Sequence, residues 1–269
     1  MRDSQVKSGL LLVGHGTRSA EGTKQFLELA DQLAQRIAPI MMEPAFLEIQ
    51  QPGIAAAVER LLARKIEQLM VLPLLLFAAG HAKRDIPQAV ASALAACGRA
   101  ELPWVQAAHL GCHRAILTLS GRRMAEVLVD KLAIPAEESC LLLVGRGSPD
   151  ESAAAEMREF ASLRQQQEGG MRTEVAFLAM ARPLLAEQLG QLAAANYRRV
   201  IVQPHLLFEG DLVDSLRRQV ASVARTSLEI EWLVTTLLSD VQGAAGVGTE
   251  LLIEAAAARC QEASAACCQ

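Results

Sequence analysis

The sequence predicts an α/β protein built from two copies of a parallel-sheet domain. Short apolar runs that stop at glycine or proline alternate with longer amphipathic segments, as buried parallel strands alternate with their connecting helices. This pattern starts again near the middle of the chain. With 269 residues, of which 51% are hydrophobic, the chain is long and apolar enough for two ordinary domains.

The first half contains four predicted strand–helix units. Residues 9–14 form an apolar run that ends at a glycine-flanked turn, and the Pro-Gly pair within residues 50–53 marks another turn. The apolar run of residues 71–80 predicts a buried strand with ligand-binding residues at its carboxyl end. The predicted strands cover residues 9–14, 41–49, 71–80 and 104–108, and the predicted helices cover residues 19–37, 54–65, 85–97 and 112–132.

An internal repeat relates the two halves. The segment LLLVGRGS at residues 141–148 repeats LLLVGHGT at residues 10–17, and AFLA at 176–179 repeats AFLE at 45–48, both with an offset of 131 (179 − 48 = 131). QPHLLFEGD, which ends at Asp211, repeats LPLLLFAAGH, which ends at His81, with one residue fewer (211 − 81 = 130). These anchors predict a duplicated domain. We place the boundary near residues 133–136, which gives halves 1–134 and 135–269.

The repeat points to functional residues in the first half. At three corresponding strand ends the first half carries His15, Glu48 and His81, whereas the second half carries Arg146, Ala179 and Asp211. A histidine after a glycine can simply belong to a turn or a helix cap. Here the apolar scaffold was copied while all three polar residues changed, so a functional trio confined to the first half is the simpler interpretation.

The trio suits either metal binding or proton transfer. Carboxyl ends of neighbouring parallel strands meet at one edge of the sheet, so His15, Glu48 and His81 are expected to share a pocket. Two imidazoles and a carboxylate bind first-row divalent metals, and they also accept protons near neutral pH. Nearby cations would recognise substrate carboxylates, and the candidates are Arg18, Lys83, Arg84 and the repeat-related Arg146. Asp85 is predicted to be the N-cap or first-turn acid of its helix.

Several function classes are not supported by the sequence. The net charge of −4 and the lack of a basic stripe give no reason to expect a nucleic-acid partner. The turn at residues 14–18 lacks G-x-G-x-x-G spacing and no Walker-type loop occurs, so no nucleotide cofactor is expected. No apolar stretch approaches the roughly 20 residues of a membrane-spanning helix, and we expect a soluble, cytoplasmic protein without a membrane partner.

Cysteines and the remaining histidines offer secondary candidates. The cysteines show no repeated C-x-x-C spacing, which favours buried thiols over a disulfide scaffold. The Cys260, Cys267 and Cys268 tail is either a metal-collecting site or a frayed helix end. His109 and His113, with Cys112 between them, could form a separate metal site, although Gly111 favours a helix start there. His205 replaces Leu74 of the first half and is expected in the core or lining a cleft.

The turn GHGTR at residues 14–18, together with FLE at 46–48 and PLLLFAAGHAKRDIP at 73–87, resembles the sirohydrochlorin chelatases of the CbiX/SirB type. The resemblance covers nearly the whole chain, including the duplication. It implies a class II chelatase fold, in which two flavodoxin-like halves face each other across a cleft and no nucleotide is needed. It also implies that His15 and His81 handle the metal and accept protons, with Glu48 as the accompanying carboxylate.

The resemblance implies insertion of Co²⁺ or Fe²⁺ into sirohydrochlorin, on the way to cobalamin or sirohaem. The first half would be catalytic, and the second, degenerate half would complete the cleft, with Arg146 and His205 as candidate lining residues. Two alternatives stay open: a ferrochelatase that acts on another porphyrin, and a non-catalytic metal or tetrapyrrole carrier. The duplication is compatible with a working monomer, with a weak homodimer as the alternative. The sequence does not decide between cobalt and iron.

Overall fold

Strands and helices alternate along the chain. The computed structural model describes residues 6–77, 80–239 and 247–267. The elements of the first repeat are β1 (Ser8–Gly14), α1 (Ala20–Ile37), β2 (Met41–Phe46), α2 (Ile54–Ala63), β3 (Gln68–Pro73), a π-helical turn (His81–Asp85), α3 (Ile86–Ala96), β4 (Trp104–Gln106) and α4 (Arg114–Leu128). Those of the second are a 3₁₀ turn (Ala136–Glu138), β5 (Ser139–Gly145), α5 (Glu151–Gln167), β6 (Arg172–Phe177), α6 (Leu185–Ala193), β7 (Arg199–Pro204), α7 (Asp211–Ala224), β8 (Glu231–Val234) and α8 (Val247–Cys267).

Within the described ranges the strands form two four-stranded sheets. The orders are β2-β1-β3-β4 and β6-β5-β7-β8, and every pairing is parallel. The register is the same in the two sheets, since Gly14 pairs with Phe46 in the first and Gly145 with Phe177 in the second. The predicted fold of two tandem parallel-sheet α/β domains is therefore confirmed.

Each sheet lies in a continuous apolar core. Leu10 to Val13 of β1 are each at most 1% exposed, and Leu141 to Val144 of β5 are fully buried. A strand buried on both faces needs apolar residues at consecutive positions, which is why these strands show no alternation of polar and apolar residues. Buried residues of the neighbouring helices, such as Val58 and Val90 in the first repeat, complete the core.

The predicted elements of the first repeat are found, but the third strand spans Gln68–Pro73 and not residues 71–80, so Gly80 and His81 lie well beyond its end. The other elements differ from the prediction by a few residues at their ends. Ser19 is the N-cap of α1, and its hydroxyl accepts a hydrogen bond from the Gly22 amide, so the helix itself begins one residue later than predicted. The second strand ends at Phe46, which places Glu48 on the following loop. The fourth strand is shorter than predicted and spans Trp104–Gln106.

The entry into α3 differs from the prediction. The chain forms a π-helical turn from His81 to Asp85 before α3 begins at Ile86. Asp85 holds the N-cap position of α3, as predicted, but its backbone is already helical and its side chain makes no capping hydrogen bond. The corresponding helix of the second repeat, α7, begins directly after Gly210 without such a turn.

The compact units do not coincide with the predicted halves 1–134 and 135–269. One unit contains the chain up to Leu110 together with the residues from Ile253 onward, and the other spans Gly111–Leu252. The terminal helices of the repeats account for the difference: α4 packs in the unit of the second sheet, and most of α8 packs in the unit of the first.

Buried polar contacts hold α4 in the second unit. Ser120 donates a hydrogen bond to Gln203 Oε1 on β7 (2.7 Å) and accepts one from Nε of Arg164 on α5 (3.0 Å). Arg123, only 1% exposed, donates from Nη2 to the carbonyl of Leu238. In the first unit, Arg259 of α8 donates to the carbonyl of Leu110.

Among the described helices, none has the length and apolar character needed to cross a bilayer.

Candidate functional site

The candidate site lies at the carboxyl edge of the first sheet. β1 lies between β2 and β3, and each of these three strands leads toward one member of the predicted trio. His15 directly follows β1, Glu48 lies two residues beyond β2, and His81 opens the turn that follows β3. The strand order therefore brings the three chain segments to the same edge, as the sequence argument expected.

The backbone fixes the loops that carry His15 and Glu48. The Glu48 amide donates to the carbonyl of His15 (3.1 Å), and the Leu47 amide donates to the carbonyl of Gly14 (2.9 Å). Gly16 has a φ of 100°, and a Cβ at this position would lie 2.0 Å from the Glu48 carbonyl oxygen. Only glycine satisfies both the dihedral angle and the close approach, so Gly16 is what allows the two loops to touch.

The side chains of His15 and Glu48 meet across these loops. Nδ1 of His15 lies 3.3 Å from Oε1 of Glu48, and the two side chains are 20% and 47% exposed. A carboxylate beside Nδ1 favours a proton on that nitrogen, and in this tautomer Nε2 carries the lone pair that can accept a proton or bind a metal. The pair is thus accessible to solvent and chemically suited to the roles predicted for it.

His81 is described only through its backbone. Its main chain begins the π-helical turn, while its side chain lies outside the described part of the structure. π-helical turns are rare, and they are frequently found at functional sites. Among the described residues no group of three His, Cys, Asp or Glu side chains is placed to hold a metal ion, so the described part of the site is the His15–Glu48 pair.

The second repeat has the same loops with different side chains. The Ala179 amide donates to the carbonyl of Arg146 (3.0 Å), and Gly147 has a φ of 89° with its Cβ position 1.7 Å from the Ala179 carbonyl oxygen. The scaffold is therefore copied in detail, whereas an exposed guanidinium and a methyl group replace the imidazole and the carboxylate. Neither Arg nor Ala is a ligand for divalent metals.

The predicted cationic residues lie on exposed surface. Arg18, Lys83, Arg84 and Arg146 all have exposed side chains. Arg84 turns back over the main chain of Gly80, where a Cβ would lie 3.1 Å from Nη2. Arg18 follows the His15 turn, and Lys83 and Arg84 belong to the π-helical turn, so these three cations lie on the segments of the candidate site.

The secondary candidates have structural explanations. His205 is 2% exposed, its ring centre lies 4.4 Å from that of Phe160, and burial lowers its pKa to about 3, so it is a core residue and not a lining residue. His113 is the N-cap of α4, where Nδ1 accepts a hydrogen bond from the Ala115 amide, so His109 and His113 do not share a helical face. Cys260 is 5% exposed within α8. The Cys267 side chain and Cys268 lie outside the described residues.

Two residues that support the site were not predicted from the sequence. The Gln50 side chain donates from Nε2 to the carbonyl of Thr17 (2.8 Å) and so joins the loop after β2 to the loop after β1. Thr17 also accepts, through its hydroxyl, a hydrogen bond from the Ser19 amide at the start of α1. The second repeat has Ala181 and Ser148 at these positions, a Gln-to-Ala difference that could have indicated a role for Gln50.

Comparison with known proteins places these features in a family. The model of the CbiX family matches residues 9–127 and again residues 140–255, one match for each repeat. The chain belongs to the CbiX family. Because both repeats match, the duplication inferred from the sequence is a duplication of the CbiX domain itself.

Named relatives and solved structures agree with this assignment. The chain is 29% identical over 223 residues to a sirohydrochlorin ferrochelatase of Priestia megaterium, covering 83% of this chain and 82% of the relative. It is 26% identical to a sirohydrochlorin cobaltochelatase of the same organism, covering 83% and 72%. The fold matches that of SirB from Bacillus subtilis with Fe³⁺, with a TM-score of 0.80, 22% identity and coverage of 96% and 99%.

Proposed function

We propose that this CbiX-family protein inserts a divalent metal, Co²⁺ or Fe²⁺, into sirohydrochlorin. Relatives that match more than four fifths of the chain are named sirohydrochlorin ferrochelatase and cobaltochelatase. The observation that carries the proposal is the His15–Glu48 pair, 3.3 Å apart at the ends of adjacent strands in a CbiX-family chain. The two names leave both metals open, so the proposal covers both.

The reaction needs groups that bind a metal ion and accept protons. Insertion takes up one divalent ion and releases the two protons of the pyrrole N–H groups, so the tetrapyrrole leaves as the metal chelate. In the proposed mechanism Nε2 of His15 binds the incoming ion or accepts one of these protons. Glu48 orients the imidazole ring of His15 through Nδ1 and offsets the added positive charge. Partial exposure of both side chains gives released protons a route to solvent.

His81 is proposed as the second imidazole of the site. It lies on the segment after β3, the strand that neighbours β1 on the side opposite β2. A second nitrogen ligand would replace water around the ion, and an imidazole on another segment could accept the second pyrrole proton. Imidazole suits both cobalt and iron, which is consistent with relatives named for each metal.

The exposed cations are proposed to bind the substrate's carboxylates. Arg18 follows His15 closely in the chain, and Lys83 and Arg84 follow His81. Guanidinium groups can form paired hydrogen bonds with carboxylates. In the second unit Arg146 occupies the position of His15, and we propose that it binds a carboxylate instead of the metal. The reaction is proposed to need no nucleotide, because the sequence contains neither a dinucleotide loop nor a Walker-type loop.

Anaerobic single-turnover absorbance tests the proposal. Metal-free sirohydrochlorin is mixed with excess protein and either Co²⁺ or Fe²⁺, and the spectrum of the metal chelate is followed over time. The variants are His15→Ala, His81→Ala and the double variant, with His109→Ala as a matched control outside the trio. We expect each site variant to slow insertion by about 10²–10⁴-fold, the usual contribution of a positioned proton acceptor, while the control keeps the wild-type rate.

Two outcomes would contradict the proposal. A wild-type rate equal to the protein-free rate with both metals would exclude insertion, and binding of sirohydrochlorin without turnover would favour the carrier. A double variant with the wild-type rate would leave the proposed activity standing but would contradict the roles proposed for His15 and His81. Circular dichroism of each variant shows whether the fold is retained. The faster metal in the wild-type reaction identifies the preferred ion.

A further inference from the structure

Ile49, next to Glu48, has a backbone conformation that does not suit its side chain. Its φ is 71°, in the left-handed region, where a β-branched residue is an outlier. Glycine and asparagine adopt this conformation far more readily. Such residues persist only where the surrounding structure fixes them, and they concentrate at functional sites.

The loop around Ile49 is held in place on both sides. The Glu48 amide donates to the carbonyl of His15, and the Gln50 amide donates to the carbonyl of Glu48 (2.7 Å). The Gln50 side chain also donates to the carbonyl of Thr17. The conformation of Ile49 is therefore fixed by the same contacts that position the His15–Glu48 pair. The Ile49 side chain is nevertheless 56% exposed, so burial in the core does not account for it.

The second repeat keeps this combination. Met180 corresponds to Ile49 (180 − 49 = 131), has a φ of 59° and is also 56% exposed. The flanking residues changed, since Glu48 corresponds to Ala179 and Gln50 to Ala181. Among the described residues the other non-glycine positions with positive φ are Lys65 and Asp130, which carry polar side chains. An exposed apolar group in a disfavoured conformation was therefore kept at this one loop position while its neighbours diverged.

We propose that Ile49 is a substrate-contacting residue that packs against the apolar ring system of the tetrapyrrole bound at the His15–Glu48 pair. This inference rests on the proposed function, and it adds a contact with the ring system to the proposed contacts with the carboxylates. A rigid, exposed aliphatic group beside the reacting histidine would position the ring plane without competing for the metal. Apolar contact is the interaction that a flat, largely apolar ring surface favours.

The test separates the apolar group from the backbone strain. Ile49→Asn removes the apolar side chain but suits the left-handed conformation, so the loop should keep its structure. Ile49→Leu keeps the apolar side chain. Lys65→Asn is the matched control, because it places the same residue at another exposed left-handed position (φ 58°), before the amino end of β3. The readouts are the Kd for metal-free sirohydrochlorin from an absorbance titration, the single-turnover rate and the thermal midpoint of unfolding.

We expect Ile49→Asn to raise the Kd about tenfold, the effect of losing part of an aliphatic contact, with no fall in the thermal midpoint. Ile49→Leu and Lys65→Asn should bind as wild type does. A wild-type Kd for Ile49→Asn overturns the inference, as does a Kd for Ile49→Leu as weak as that of the Asn variant. If the Asn variant loses stability, Ile49→Gly replaces it in the same comparison of Kd values, because glycine also lacks the apolar side chain and suits positive φ. Wild-type protein that neither binds nor metallates sirohydrochlorin overturns the proposed function and this inference together, whereas an active wild type with an unaffected Asn variant overturns this inference alone.

Discussion

Replacing His205 by leucine should remove a loss of folding stability that the second unit shows at low pH. His205 is 2% exposed and packs on Phe160, and burial lowers its pKa from 6.5 to about 3. The corresponding residue of the first repeat is Leu74 (205 − 74 = 131), which is also 2% exposed. The repeat itself thus shows that leucine fits this position of the fold, which makes His205→Leu a suitable variant.

The direction of the effect follows from proton binding. Between pH 6.5 and about 3 the unfolded chain protonates this histidine while the folded chain keeps it neutral. The unfolded state binds more protons in this range, so stability is complete above pH 6.5 and falls as the pH is lowered. Lowering the pH from 7.5 to 5 stabilises the unfolded chain by about 2 kcal/mol, because its histidine binds a proton. The His205→Leu variant lacks this histidine, so it should not show this loss of folding stability.

Urea unfolding of both proteins at pH 7.5, 6.5 and 5.0 measures the effect. The stability of the leucine variant relative to wild type should rise by about 2 kcal/mol between pH 7.5 and pH 5. Groups that titrate equally in both proteins cancel in this difference. A difference that stays constant across the three pH values would refute the argument, because it would mean that His205 has the same pKa in the folded and unfolded states.

Two shorter predictions concern the strand-end loop and the cysteines. Gly16→Ala should lower the free energy of unfolding by more than Gly98→Ala. Both glycines have positive φ, but only at Gly16 would a Cβ lie 2.0 Å from a carbonyl oxygen. Gly98→Ala should cost about 1 kcal/mol, and equal losses in urea unfolding would contradict the steric argument. Burial raises the pKa of Cys260 to about 12, so iodoacetamide at pH 8 should alkylate the more exposed Cys97 first. Mass spectrometry of the peptides measures both rates, and similar rates would show that the end of α8 opens readily.

The sequence predicted most of the fold because its signals are local. The apolar runs of β1 and β5 and the glycine-flanked turns after them can be recognised without knowledge of contacts distant in sequence. The composition of the compact units could not be predicted in this way. α4 packs in the second unit through buried polar contacts of Ser120 and Arg123, and a helix's amphipathic pattern does not specify which sheet it covers.

The π-helical turn could not be predicted from the sequence. Phe77 and Phe208 correspond with the offset 131, whereas the buried residues Ile86 and Leu216 correspond with the offset 130 (216 − 86 = 130). The offset is already 130 at His81 and Asp211 (211 − 81 = 130), so the additional residue of the first repeat precedes the π-helical turn. The turn itself contains no additional residue relative to the start of α7, and the comparison of the repeats gives no signal for it.

The site was predictable only in part. The comparison of the repeats identified His15 and Glu48, which the structure brings together, and the Gln-to-Ala difference could also have indicated Gln50. The left-handed Ile49, in contrast, has no sequence signal. A positive φ at isoleucine arises from contacts around the loop and contradicts the residue's own preference. Deviations of this kind appear only when the distant contacts are known.

The two repeats also separate the contribution of the backbone from that of the side chains. Both repeats join the loops after their first and second strands by equivalent hydrogen bonds, of 3.1 Å from Glu48 to His15 and 3.0 Å from Ala179 to Arg146. Both need glycine at the point of closest approach, Gly16 or Gly147. The same backbone therefore supports a His–Glu pair in one unit and an Arg–Ala pair in the other. Neither an arginine nor an alanine side chain is a ligand for a cation, so these two positions of the second unit do not reproduce the His–Glu chemistry, and the guanidinium is suited to binding an anion. Duplication of the scaffold alone thus does not duplicate the His–Glu pair, which is consistent with the proposal that Arg146 binds a carboxylate of the substrate.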